Sequence, residues 1–369
     1  MIEKINYSRV IIMVGAILAF SIGSGFATGQ ELIQYITAYA YDGILIGLIF
    51  FLIFGYSNYA YAKAGNLEKF TKGSEVYKYF CGNVVGTIFD YFSVVFCYMS
   101  FIVMVGGGAA TLHQQYGLPL YWGGLILAAL ACCTVIFGLD ALVKVLGMIG
   151  PVVVVICLLV GVITFIKDGA NISQGAELVI SGRVKVMKAS TNWLLAGGSY
   201  AGFCMLWFGG FMAELGSKNK MKELTRAVVI AAVLNTVAIL VVGFALLANV
   251  TDVATAQIPN LVLANRILPA LTPVFAIIVF AAIYTTSVPL LWTASSRFAT
   301  EKSMKFYIIT ISLAALGYLI AMKIPFNRLL NLVYVINGYG GIILLGFIIN
   351  KNVRLKIAGK KSKQTALHD

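Results

Sequence analysis

The chain has 369 residues, 60% of them hydrophobic and only 11% charged. An ordinary soluble domain carries roughly a quarter charged residues, so this composition excludes one. The formal charge of +13 does not point to nucleic acid, because the lysines and arginines sit in short loops between apolar runs and form no common face.

The apolar runs are each long enough to cross a bilayer, which takes about 20 residues, and their order predicts about ten membrane helices. Span 1 runs from about Val10 to Tyr35 and carries the chain's most unusual stretch, Ser21-Ile22-Gly23-Ser24-Gly25-Phe26-Ala27-Thr28-Gly29-Gln30-Glu31. Gly23, Ser24 and Gly25 are poor helix formers at what should be mid-bilayer, and Gln30 and Glu31 follow where polar groups are expensive. Backbone leaves the helix in hydrocarbon only where protein or a water-filled cavity satisfies the freed N–H and C=O groups. Small residues at helical spacing would alone suggest close helix packing. The added polar groups Ser21, Ser24, Thr28, Gln30 and Glu31 favour a broken helix at a binding site. The run follows Lys4 and Arg9 as a signal peptide would, but it lacks a small-residue cleavage site and is expected to be retained.

Span 2 follows Asp42-Gly43 and ends near Ala62, and a lysine-bearing loop leads to span 3, about Val84 to Gln114, which contains Asp90 and Gly106-Gly107-Gly108. Span 4 covers about Trp122 to Phe137 and span 5 about Leu142 to Ile166. Lys167 to Ser190 is the longest polar connection and marks the midpoint. Span 6, about Trp193 to Leu215, is again punctuated by glycines, at Gly197, Gly198, Gly202, Gly209 and Gly210. Span 7 covers about Leu224 to Asn249, and Leu261 to Ile267 reads as a short loop helix. Spans 8, 9 and 10 cover about Pro273–Ser296, Phe306–Met322 and Leu329–Ile349, before a basic tail.

Ten spans put both termini on one side of the membrane. The loops on that side hold far more Lys and Arg than the opposite loops, which places the termini in the cytoplasm. The tail is a solvated basic face suited to anionic lipid. Five spans per half is an odd number, so residues 169–350 enter the membrane in the sense opposite to residues 1–168, with 351–369 as the tail. Each half begins with a glycine-interrupted helix carrying a glutamate, Glu31 and Glu214. This is the expected mark of an inverted repeat with spans 1 and 6 broken and a site between them.

The six cysteines lack metal or redox spacing and read as small buried hydrophobes. Two histidines argue against a His-built metal or catalytic site. No nucleophile–base set is apparent in the spans, so an enzyme is not expected.

At these residues the chain resembles the five-plus-five inverted-repeat transporters of the LeuT fold, the amino acid–polyamine–organocation superfamily. The Gly-Ser-Gly-Phe-Ala-Thr-Gly-Gln-Glu string most resembles the uncharacterised bacterial YkvI membrane-protein family. The resemblance implies that the break in span 1 offers backbone N–H groups at Ser24, Gly25 and Phe26 to a substrate carboxylate, with Ser21 and Gly23 beside them. It also implies that span 6 carbonyls around Phe203–Gly209 meet the amine, with Cys204, Trp207 and Phe208 lining the pocket; the two aromatics could equally be core or lipid-facing. It implies a sodium site formed by the carbonyls of Ala19, Ile22 and Ala282 with the hydroxyls of Thr285 and Thr286. Those hydroxyls could instead bond back to the preceding turn. Proton-coupled relatives often carry a span 5 lysine, and span 5 has none at mid-depth, so sodium is favoured and a proton on Glu31 is the second choice. Asp90 is a further proton or coupling candidate, a buried charge paired with Lys144 or Arg297, with a purely structural pair as the alternative.

The expectation is therefore a bacterial inner-membrane secondary transporter of a small polar or zwitterionic solute, an amino acid or close relative. It would be ion-coupled, require no cofactor and bind no nucleic acid. The alternative is a ligand sensor or receptor subunit that keeps the fold without transport. Substrate identity, direction and oligomeric state are open at this point.

Overall fold

The computed structural model describes residues 5–21, 23–70, 72–137 and 155–365. Ile22, Asp140, Lys144 and the start of the fifth predicted span lie outside the described residues, as does the side chain of Ser24. The described residues are α-helical with short 3-10 turns and contain no strand. Nine helices among them are long and apolar enough to cross a membrane.

The first predicted span is three pieces: α1 Tyr7–Ser21, α2 Ser24–Thr28 and α3 Gln30–Tyr35. Then come α4 Gly43–Glu68, α5 Glu75–Tyr116, α6 Leu120–Phe137, α7 155–168 and α8 Ile172–Ile180. The second half holds α9 Trp193–Lys218, α10 Met221–Ala248, α11 Val250–Val253, α12 Pro259–Ile267, α13 Thr272–Ser296, α14 Met304–Ala321 and α15 Phe326–Thr365.

Local chemistry sets the ends. Asn192 caps α9 by accepting from Leu195 N at 2.9 Å, and Ser303 caps α14 by accepting from Phe306 N at 3.1 Å. Gly117 ends α5 in the left-handed region, its N–H reaching His113 O at 2.9 Å. Helix α5 begins earlier than the sequence suggests. The stretch read as a polar loop winds into helix from Glu75, because Val76, Tyr77 and Phe80 form an apolar stripe that is buried.

The second broken span is not observed: α9 is one continuous helix from Trp193 to Lys218. Its glycines serve close packing instead. A β-carbon on Gly202 would collide with the carbonyl of Gly338, and one on Gly341 of α15 would collide with the carbonyl of Gly202. Without a strong hydrophobic drive inside a bilayer, helices associate by such backbone approach. The pairing of Glu31 with Glu214 fails for a related reason. Glu214 lies on the exposed end of α9, bonded at 2.6 Å to Lys218 one turn on.

Candidate functional site

The break in the first span comes from its glycines. After α1 ends at Ser21, Gly23 is extended (φ −90°, ψ −163°) and α2 starts at Ser24. A second interruption follows at Gly29, with φ +81°, the left-handed region that an L side chain rarely adopts. Asn260 of α12 clamps this corner, donating from Nδ2 to Phe26 O at 2.9 Å and to Ala27 O at 3.1 Å. Just past the end of α1, Gly23 N donates to Ser21 O at 3.1 Å.

The structure brings Gly23, Gly25, Glu31, Cys204 and Trp207 together around this break. The Glu31 carboxylate folds back onto α2, its Oε2 filling the place that a β-carbon on Gly25 would need. Its Oε1 accepts a 2.6 Å hydrogen bond from the Tyr200 hydroxyl on α9, and the residue is 7% exposed. Cys204 follows Tyr200 by one turn and is buried. Trp207, a further turn on, faces Gly23 from across the break, and its indole Nε1 is a buried donor with no hydrogen-bond acceptor among the described residues. The wall behind is aromatic: Tyr35 stacks on Tyr200 at 4.7 Å, Tyr200 on Phe203 at 5.5 Å, and Phe96 on Trp207 at 5.5 Å between centroids.

Other predicted residues sit elsewhere. Ser21 Oγ accepts from Asn235 Nδ2 of α10 at 2.5 Å. Phe26 is buried under Asn260. Phe208 is fully buried and meets Phe20 and Phe54 edge-on, both at 5.0 Å, so it belongs to the packing between α1, α4 and α9.

Among the candidate sodium ligands, Ile22 is outside the described residues and Ala19 lies in the last turn of α1. The Thr285 and Thr286 hydroxyls both donate to Ala282 O, at 2.8 and 3.0 Å. That is the back-bonding alternative, although each hydroxyl oxygen keeps lone pairs and helix α13 packs against α2. Asp90 is bound by Arg297, whose Nη2 donates to Oδ2 at 2.8 Å while its guanidinium stacks 4.4 Å from the Tyr91 centroid.

The α3 end of the broken span is tied shut by amides, of which the sequence reading singled out Gln30 but not Gln34 or Asn331. Gln30 Nε2 donates to the carbonyls of Ala256 and Gln257, each at 3.2 Å. Gln34 Nε2 donates to Asn327 O at 2.9 Å, and Asn331 Nδ2 donates to Gln34 Oε1 at 2.8 Å. Helix α1 lies along α10, and Tyr7, Ile11 and Ile12 are exposed. Tyr200 was also missed. Its signal was the spacing Tyr200–Cys204–Trp207, which puts all three on one helical face.

No family model matches the chain. It is 28% identical over 138 residues to the uncharacterized protein YyaD of Bacillus subtilis (strain 168), a match spanning 37% of this chain and 40% of that one. It is 21% identical over 335 residues to the uncharacterized membrane protein YkvI of the same organism, covering 89% of this chain and 92% of YkvI. Among solved structures it is similar to MhsT in complex with L-phenylalanine, with a TM-score of 0.61, 14% identity, and 91% and 88% of the two chains covered. It is also similar to a manganese transporter of Eremococcus coleocola bound to an aromatic bis-isothiourea compound, with a TM-score of 0.54, 14% identity, and 92% and 79% covered. The chain is thus an all-α integral membrane protein of the LeuT fold, similar along most of its length to YkvI.

Proposed function

We propose that the protein is a secondary transporter working by alternating access, carrying a small polar or zwitterionic solute such as an amino acid or a close relative. The observation that carries this reading is the broken first span, which sets Gly23, Glu31 and Trp207 around non-helical backbone inside the bilayer. Irregular backbone at that depth is tolerated only where protein buries it or it lines a cavity, and a broken span is where secondary transporters hold their solute. The amide ties at the α3 end support a state closed on that side of the break. The solved relative MhsT, which holds L-phenylalanine, supports the solute class.

Sodium is the proposed coupling ion and a proton on Glu31 the second choice. Supporting sodium are the Thr285 and Thr286 oxygens grouped with the Ala282 carbonyl on one turn of α13. The protein would sit in the bacterial cytoplasmic membrane with both termini inside, and two five-helix repeats, 1–168 and 169–350, would form the machine.

The continuity of α9 favours a second reading, a sensor that binds its ligand without carrying it. Reconstituted protein decides between them. A carrier exchanges bound solute across the vesicle membrane, whereas a sensor binds without exchange.

A further inference from the structure

We propose that the Glu31 carboxylate is the recognition point for a cationic nitrogen, so that the solute is an organic amine whose own carboxylate, if it has one, is dispensable. This inference rests on the reading that the broken span is a solute site.

Glu31 is a carboxylate 7% exposed within the membrane-spanning part of the chain. Its hydrogen-bond donor is the neutral Tyr200 hydroxyl. Among the described residues no lysine, arginine or histidine forms an ion pair with it. A buried charge needs a partner of opposite sign and good geometry, and an intramembrane carboxylate marks a pathway or a ligand. Among the described residues that partner is missing, and a cationic solute would supply it.

Two further observations select an organic cation. No group of three or more His, Cys, Asp or Glu side chains is available among the described residues to complete a metal shell. The neighbouring walls are aromatic instead, Tyr35 and Phe203 being stacked on Tyr200, which suits an organic group rather than a bare metal ion. The seat of the carboxylate decides the rest. Oε2 occupies the position of the missing Gly25 side chain, directly on the α2 backbone. A solute carboxylate brought to those N–H groups would meet Glu31 as a like charge. Across the break, the Trp207 indole N–H, without an acceptor among the described residues, offers a donor to a hydroxyl or ether at the far end of the amine.

The test uses the full-length protein in lipid nanodiscs with two matched triplets, phenylalanine, phenethylamine and 2-phenylethanol, and tyrosine, tyramine and tyrosol, and one pair, arginine and agmatine. Binding is read by calorimetry with and without sodium. The expected result is that at least one amine binds as tightly as its parent amino acid or more tightly, while the matching alcohol is at least about tenfold weaker, equivalent to 1.4 kcal/mol. Glu31→Gln should weaken that amine at least as much.

The proposal is overturned if amino acids bind and their amines do not, if the alcohol equals the amine, or if no compound binds. It is also overturned if sodium alone produces the whole Glu31-dependent signal. Should Glu31→Gln fail to fold, the wild-type comparison of amine with alcohol still decides. Flux separates the two readings. An amine that binds but is never carried retires the carrier and keeps the recognition, whereas a carried amino acid that needs its carboxylate does the reverse.

Discussion

The Tyr200 hydroxyl on α9 donates to Glu31 on α3 at 2.6 Å, joining residues 169 positions apart and binding the second half's first helix to the broken span of the first half. In Tyr200→Phe the ring stacking with Tyr35 and Phe203 remains possible, but the carboxylate loses its donor. An unsatisfied buried group of this kind costs about 1–3 kcal/mol, more when charged. The variant should unfold at lower temperature than the wild type in the same detergent. An unchanged midpoint would mean that the carboxylate has another partner.

Gly29 is the corner on which α2 turns into α3. In Gly29→Ala a side chain must adopt φ +81° with its β-carbon 2.6 Å from Asn260 Oδ1. The backbone term alone is about 1–3 kcal/mol, and the Asn260 clamp would be displaced as well. Gly15→Ala is the control: it sits inside α1 with nothing within 4 Å of the added carbon, and alanine should stabilise the helix by up to about 1 kcal/mol. Thermal unfolding of the two variants should move in opposite directions.

Gly202 tests the reading of α9 as a continuous packed helix. Gly202→Ala drives a methyl group into the Gly338 carbonyl, whereas Gly198→Ala meets only the flexible end of Ile342, at 3.1 Å. Overpacking of this sort costs about 1–3 kcal/mol. Size-exclusion yield and thermal midpoint should fall for the first variant and hold for the second. Equal tolerance at both sites would point to an unwound segment there after all.

The contrast between these glycines marks how far the sequence could be read. Composition and apolar run length were enough for an all-helical membrane protein, because bilayer thickness fixes helix length. The first break was legible because Gly23, Ser24 and Gly25 stand among five polar residues on two turns. The glycines of span 6 look the same in one dimension, and only their tertiary neighbours, such as Gly338 and Gly341 of α15 opposite Gly202, reveal them as packing contacts. Glu31 was legible as an expensive group, but its partner Tyr200 was not, since nothing local announces a contact across 169 positions. The closing amides Gln30, Gln34 and Asn331 depend on loops whose placement is likewise tertiary.

Thr286→Val keeps the side-chain shape and replaces one oxygen with a methyl group. If that oxygen ligates sodium, substrate affinity should rise with sodium in the wild type and lose that dependence in the variant. Linkage requires the reciprocal effect of substrate on sodium affinity, by the same factor. Calorimetric titrations across sodium concentrations read both. Sodium-independent affinity in the wild type would remove sodium from the account, and dependence unchanged in Thr286→Val would place the ion elsewhere.

The central claim is that the broken span is a site from which a solute is carried, and counterflow tests it most directly. Proteoliposomes are loaded with an unlabelled ligand found by calorimetry and diluted into a trace of the labelled compound. The account predicts rapid, transient accumulation of label by the wild-type protein, and loss of it in Glu31→Gln of equal reconstitution and fold. Tight binding by the wild type with no accumulation of label above protein-free vesicles would contradict it.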